Sequence, residues 1–359
     1  MCHLIYTDTF YMKRKWIRWV SWILLTPIIL FVILMVLLYV PPVQNLLRRE
    51  VTAYASKATG MQIQVERIDL RFPLNLLVRG VEVIQQPDTL LSLESLNVRV
   101  QAWPLIKGKV EVDEVTLSRV AVNSANLMEG MKIKGVLGRF FLQSHGVDLS
   151  NELAVINQVE LSDTHVQLLM NDTTTTPKDT TASAPINWKV ALHQLKLKNV
   201  SFSMQLPADS MRMTAHIGEA AIDDAQADLK NQYYDLKKFL LSGTSVSYDT
   251  GTAQPAEGFD ASHIAVRDIR IALDSLLYKG RDMNAVIREF TMNERSGLSV
   301  TSLTGRAYSN DSVICVPGLK LNTPHSEIDL SAHTYWELVN IPTTGRLSAR
   351  LNAYIGKED

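Results

Sequence analysis

Cysteine is almost missing from this chain. Cys2 and Cys315 are the two in 359 residues, too few for a disulfide scaffold or a multi-cysteine metal site. Positive charge is not in surplus either. The 36 Lys and Arg are matched by 37 Asp and Glu, a net charge of −1, which argues against a nucleic-acid binder. None of the short patterns of familiar catalysts is present: no G-x-S-x-G, H-E-x-x-H, Walker A or G-x-G-x-x-G. The eight histidines are dispersed, and His325 and His333, the closest pair in the body, have no ligand cluster around them. Asp113-Glu114 and Asp223-Asp224 read as solvated turns rather than an acid–base couple. Cys315, within Val313-Ile314-Cys315-Val316, reads as a small buried hydrophobe rather than a nucleophile. No catalytic residue, metal or cofactor is expected. Hydrophobic residues make up 46% and charged residues 20%, so most of the chain can form packed structure.

What is present begins at the N-terminus. No charged residue occurs from Trp19 to Leu47. Within it, Val20 to Val40 (VSWILLTPIILFVILMVLLYV) is long enough to cross a hydrocarbon layer as a helix, which takes about 20 residues. Pro27 inside the run is tolerable in lipid, where local adjustments re-satisfy the backbone. Lys13, Arg14, Lys15, Trp16, Arg18, Trp19 and Trp22 flank one end, and Tyr39, Arg48 and Arg49 the other. Aromatic rings favour the interface, and the heavier basic cluster favours the cytoplasm. The membrane-interface set is therefore Lys13, Arg14, Lys15, Trp16, Arg18, Trp19, Trp22, Arg48 and Arg49. This gives a basic cytoplasmic N-terminus over 1–18, a transmembrane signal anchor over 19–41 and a body outside. A cleaved signal peptide is the rival, but its apolar region would be about 7–15 residues, and the small-x-small triplet Ala53-Tyr54-Ala55 lies well past the run. Residues 1–11 carry no basic character, so Met12 is a candidate initiator.

Past Pro41-Pro42 an amphipathic helix is predicted over 44–60. Leu47, Val51, Tyr54 and Ala58 recur at four, three and four, and Gly60 suits a C-terminal cap. A short helix over 102–106 and another over 223–241 are also predicted, the latter from Leu229, Tyr233, Leu236 and Leu240. The rest reads as strand: Val-, Ile-, Leu- and Thr-rich runs broken by Gly, Asn, Asp or Pro. The Thr-rich stretch 171–185 is a loop that divides a first β segment, 61–170, from a second, 186–359. Residues 249–258 form another loop.

One pattern recurs in the body. Val110, Val112, Val115, Leu117, Val120 and Val122 are apolar at intervals of two, three, two, three and two. The same intervals give Ala154, Ile156, Val159, Leu161, Thr164 and Val166, and again Val190, Leu192, Leu195, Leu197, Val200 and Phe202. Ile264, Val266, Ile269, Ile271, Asp274 and Leu276 form a looser copy. A helix would scatter these positions. A flat strand, with its period of two, would throw successive pairs to opposite faces. A bulge or tight corner inside each interval of three, at Asp113-Glu114, Ser118-Arg119 or Lys198-Asn199, returns them to one face. The pattern therefore predicts a mainly β, strongly curved sheet with one continuous apolar face. Candidates for that face are Ile63, Val65, Ile68, Leu70, Val110, Val112, Val115, Leu117, Val120, Val122, Val159, Leu161, Val190, Leu192, Leu195, Leu197, Val200 and Phe202. Alternation names the apolar face and not what covers it, so an open trough and an ordinary closed core both fit. Roughly 20–25 strands at about 4.8 Å spacing would stack to on the order of 100 Å.

The order of features carries a resemblance. The apolar run leads into a helix ending Ala58-Thr59-Gly60, then Ile63-Gln64-Val65-Glu66-Arg67-Ile68-Asp69-Leu70 and Leu77-Val78-Arg79-Gly80-Val81-Glu82-Val83. Leu90-Leu91, Leu93, Leu96, Val98 and Val100 follow, then Trp103-Pro104-Leu105-Ile106-Lys107-Gly108-Lys109-Val110. Over about residues 12–125 this resembles the start of TamB and AsmA-type envelope proteins; the later part is similar to them in its strand-rich character. The resemblance implies a non-enzymatic protein of the bacterial inner membrane with a periplasmic body. It implies an elongated, taco-like sheet with an apolar groove, and a role in moving phospholipid between membranes or in outer-membrane protein assembly and secretion. Inner-membrane phospholipid and an outer-membrane barrel of the TamA type are the implied partners. TamB proteins are far longer, so this chain would be a short relative or a fragment. A membrane-anchored scaffold that engages β-rich partners by strand addition is the alternative.

Overall fold

The structure, a computed structural model, describes residues 39–71, 74–85, 88–101, 103–104, 111–124, 130–148, 151–170, 187–340 and 345–357, together with Thr26 and Val36. Most of the predicted anchor, with its flanking residues Lys13 to Trp22, the 171–185 loop and Val110 lie outside the described residues. So does most of the 102–106 helix, of which Trp103 and Pro104 are described and helical. Among the described residues no helix is long and apolar enough to cross a membrane.

Helix α1 (Pro41–Thr59) opens the described part. Two prolines suit its first turn, where φ is already right and the N–H would be unpaired. Gly60 closes it with φ 69°, its N–H bonded to the Ser56 carbonyl at 3.0 Å. The helix predicted over 44–60 is therefore there, starting three residues earlier.

One sheet follows. Its strands are β1 (Gln62–Arg71), β2 (Asn75–Gln85), β3 (Asp88–Val100), β4 (Val112–Asn123), β5 (Met131–Asp148), β6 (Leu153–Met170), β7 (Lys189–Leu206) and β8 (Met211–Asp228). Then come β9 (Tyr233–Asp249), β10 (His263–Lys279), β11 (Asp282–Glu294), the two-residue β12 (Ser299–Val300), β13 (Ser302–Ser309), β14 (Val313–Asn322), β15 (Glu327–Tyr335) and β16 (Leu347–Tyr354). A five-residue helix, α2 (Trp336–Asn340), precedes β16. The strands pair in chain order, with β12 beside β11. Neighbours are antiparallel except β6 and β7, which pair parallel from Leu153↔Lys189 to Leu169↔Gln205. Among the described residues there are sixteen strands against the expected 20–25, and they are long: β5 to β8 have 18 residues each.

The helix predicted over 223–241 is not formed. Its helical spacing straddles the β8–β9 turn, where Asp228 accepts from the Asn231 backbone N–H at 3.1 Å and from its side-chain Nδ2 at 2.8 Å. Pairing of both arms in the sheet overrides local helix preference.

The strands are creased. Arg119, Asp163, Asn199, Asp224 and Asp268 have φ between 46° and 56°, and Gly80 and Gly243 have φ of 60° and 59°. A left-handed residue inside a strand turns the chain. The registers set these corners side by side: Glu66 faces Gly80, which faces Glu94, and on through Arg119, Gly138, Asp163, Asn199 and Gly218 to Gly243, with Asp268 in the adjoining slip between Val266↔Val246 and Ile269↔Thr244. The approach is close enough to require glycine: a Cβ on Gly138 would lie 2.7 Å from that of Asp163, and one on Gly218 2.9 Å from the Gly243 carbonyl oxygen. A second crease passes through Asp113, Asn157, His193, Asp224, Lys237 and Asp274. It keeps six residues from the first, as from Asp113 to Arg119 and from His193 to Asn199. That is about 20 Å of strand between corners.

The slips required by the 2-3-2-3-2 spacing fall where the sequence places them. Asp113 is skipped between Val100↔Val112 and Arg99↔Glu114, and Arg119 and Asn199 are the left-handed corners. The looser copy departs from the pattern. Asp274 faces Arg288 at 3.3 Å, and Leu273 takes its place in register with Phe239 and Ile287.

Neither face carries a second layer among the described residues. Their buried hydrophobic residues are Ile68, Leu90, Ala154, Ala220, Ala272 and Val300, and the largest fully buried side chain is that of Ser144. A closed core would bury many Leu, Phe and Val side chains completely. The protein is a large, open, curved sheet.

Candidate functional site: an apolar face across the strands

The register builds the site row by row. Between the two creases one row runs Leu70–Leu76–Val98–Val115–Leu142–Val159–Leu195–Ile222–Phe239–Leu273–Ile287. It continues through Gly305, Leu319 and Leu330 to Leu351. Every member is apolar, on 15 of the strands, and Gly305 is its one member without a side chain. Beside it lies Ile68–Val78–Leu96–Leu117–Phe140–Leu161–Leu197–Ala220–Leu241–Ile271–Phe290. No charged residue stands in either row. Apart from Ile68 and Ala220, the side chains in β1 to β11 are half-buried, shielded sideways by one another.

Rows beyond the creases continue the face. Past the first crease are Val65–Val81–Leu93–Val120–Leu137–Thr164–Val200 and Ile63–Val83–Leu91–Val122–Gly135–Val166–Phe202. Past the second are Ile156–Leu192–Ala225–Leu236–Leu276–Ala285 and Ala154–Val190–Ala227–Tyr234–Tyr278–Met283. Val112, beside Val100, belongs to the same side. The structure thus brings together every described face candidate, from Ile63 to Phe202. An apolar hollow of about 250 Å³ lies on this panel, lined by Leu276, Tyr278, Met283, Ala285, Ala307 and Ile314 among others. A larger hollow of about 550 Å³ sits at the strand ends, among turn residues such as Pro207, Ser210 and Pro255 with Arg212 and Asp249.

Sequence reasoning missed Phe140, Leu142, Ile222, Phe239, Leu273, Ile287, Leu319 and Leu330. In β8 the signal was present at Ile217, Ala220, Ile222, Ala225 and Ala227, with intervals of three, two, three and two. Alanine carries little apolar weight, so the copy was hidden. In β9 the same signal stood at Tyr234, Leu236, Phe239 and Leu241, with intervals of two, three and two.

The interleaved positions are mixed: Phe141, Ala221, Leu240 and Ala272 share one row with Thr116, Glu160 and Lys196. Across β4 to β8 the polar ones include Ser118, Arg139, Ser162, Lys198 and Glu219, and Glu160 beside Lys196. Contacts between neighbouring strands follow the creases. Arg119 pairs with Glu94, Asn199 Nδ2 donates to Asp163 at 2.8 Å, and His193 Nδ1 meets Asp224 at 3.0 Å. Exposed pairs of this kind contribute about 0.2–1 kcal/mol each, so they tune the corners rather than hold the sheet. The 250–262 connection is closed more firmly. Asp260 accepts from the backbone N–H groups of Ala256 at 3.0 Å and Ser262 at 2.9 Å and meets His263 Nδ1 at 2.9 Å. Those donors, the Ala256 N–H foremost, lower its pKa to about 2.

Of the interface set, Arg48 and Arg49 are described. Arg48 turns onto the sheet, donating from Nη1 to the Glu66 carbonyl at 3.0 Å, while Arg49 is exposed. Among the described residues no group of three or more His, Cys, Asp or Glu side chains is placed to hold a metal ion. Neither the protein-family models nor the curated proteins contain a match to this chain.

Proposed function

We propose that this chain is an inner-membrane-anchored, periplasmic protein of the TamB/AsmA type that binds or conducts phospholipid acyl chains along its apolar face, in envelope biogenesis. The observation that carries the reading is the charge-free apolar row through 15 strands that the described chain leaves uncovered. Contiguous apolar surface on that scale marks an interaction site. Acyl chains suit it, because each methylene withdrawn from water contributes about 0.8 kcal/mol and no catalytic group or cofactor is needed. Fifteen strands at about 4.8 Å give a track on the order of 65 Å. The basic N-terminus would be cytoplasmic and 19–41 would be the single membrane span. Inner-membrane phospholipid is the ligand, and an outer-membrane barrel of the TamA type a candidate partner, with a role in outer-membrane protein assembly or secretion.

One observation favours the second reading, a scaffold that engages β-rich partners by strand addition. All eight residues of β16 are exposed, and among the described residues its outer edge is unpaired. The two readings separate on lipid. The full chain, purified in a phosphorus-free detergent and extracted with organic solvent, is expected to carry several-fold more phospholipid than its Leu195→Asp/Leu197→Asp variant. Equal phospholipid on two folded proteins would favour the scaffold.

A further inference from the structure

We propose that the outward face of α1 lies in the headgroup layer of an anionic phospholipid bilayer, so that the β1 end of the sheet is seated on the membrane and not held off on a free tether. The inference rests on the anchored reading above and adds to it a docking surface. A surface helix ordinarily turns its apolar side inward. This one also turns apolar side chains outward, while Val43 and Ala55 are half-buried. Its polar side grips β1: Gln44 Nε2 donates to the Leu70 carbonyl at 3.2 Å, Arg48 Nη1 to that of Glu66 at 3.0 Å, and Ser56 Oγ accepts from the Ile63 N–H at 3.1 Å. Its outward side carries Leu46, Val51 and Tyr54, exposed by 58, 51 and 77%, with Ala53 and Ala58.

Two further observations name the occupant. The apolar core of the uncharged run, Val20 to Val40, ends at the residue before Pro41, so a run that crosses the bilayer delivers α1 at its surface. Arg49 and Lys57 are exposed on the outward side with Glu50 as the one acid there, a balance that suits anionic headgroups. Tyr54 between them has the amphipathic ring that favours that depth. A helix lying in the interface needs this combination of apolar side chains and basic neighbours.

The test uses the full chain with Cys2→Ser and Cys315→Ser, and a single Tyr54→Cys carrying an environment-sensitive fluorophore. The protein is reconstituted in vesicles of phosphatidylethanolamine and phosphatidylglycerol with headgroup-region spin-labelled lipid. Tyr354→Cys, on the far edge of the sheet, is the reference. The Tyr54 label is expected to be quenched several-fold more than the Tyr354 label, and Arg49→Glu with Lys57→Glu to reduce that difference. Val51→Cys replaces Tyr54→Cys should the latter not fold, with the same expectation. Quenching at residue 54 no greater than at residue 354 overturns the proposal, as does label self-quenching that grows with protein density, which would mark a second copy on this face. Alkaline extraction separates the two levels. A chain that stays in the membrane with an unquenched label sinks the placement of α1 alone; a chain released from the vesicles sinks the anchored reading as well.

Discussion

The two ends of the sheet are built differently. At β1 the outward backbone is occupied: Arg48, Gln44 and Ser56 of α1 bond to Glu66, Leu70 and Ile63. At β16 every residue is exposed, and Leu347, Leu351 and Tyr354 are 60, 62 and 71% accessible. An unblocked edge is a template for another strand, and folded proteins ordinarily cover or charge such edges. β16 has one charged residue, Arg350, and an unbroken alternation of Leu347, Ala349, Leu351 and Ala353 with polar neighbours. The long apolar row starts at a blocked edge and reaches an open one at Leu351. Among the described residues the sheet is open to extension at β16, and the blocked end is the one next to the apolar N-terminal run.

Removing the block should give the largest effect. A Gln44→Ala/Arg48→Ala/Ser56→Ala variant is expected to lose about 3 kcal/mol in urea denaturation, at about 1 kcal/mol per lost hydrogen bond, and to speed amide exchange in β1 but not in β16. An unchanged midpoint would break the comparison. A control away from both edges is Gly138→Val, whose added atoms meet Asp163 and Ser162 across the crease. It is expected to destabilise by about 2 kcal/mol without altering exchange at either edge first.

A smaller, pH-dependent effect is expected at Asp260. Its folded pKa of about 2 lies below the ordinary 3.8, so its stabilisation is fully present above pH 4 and lost as pH falls through 2. Asp260→Asn should therefore be less stable than the parent at pH 7, with the gap closing towards pH 2. A gap independent of pH would assign the effect to packing. The smallest effect on the fold is expected at the open edge. Leu351→Lys should change unfolding by less than about 0.5 kcal/mol while sharply reducing strand-mediated association of the chain. A large loss of stability would mean that β16 is already covered.

How far the sequence can be read follows from what each signal measures. Spacing along a strand reports where the apolar face must be restored, so the corners at Arg119 and Asn199 were legible from Leu117–Val120 and Leu197–Val200. Spacing says nothing of coverage, so an open sheet and a closed core stayed equal until burial distinguished them. The apolar stripe of α1 was legible, but its direction was not, because that depends on Gln44, Arg48 and Ser56 finding backbone partners on β1. Around Asp228 the same four-three-four spacing that marks α1 arises by chance across a hairpin turn. The alanines of β8 concealed a full copy of the repeat.

The claim on which the rest stands is that the creases hold one apolar face open to acyl chains, and photo-crosslinking along β7 tests it most directly. With p-benzoylphenylalanine placed singly at Leu192 to Phe202 of the full chain in bacterial membranes, phospholipid adducts are predicted at Leu192, Leu195, Leu197, Val200 and Phe202. Lys196, Lys198 and Ser201 should give none. Adducts that follow an uninterrupted period of two past Asn199, or none at any of these positions in a folded chain, would contradict it.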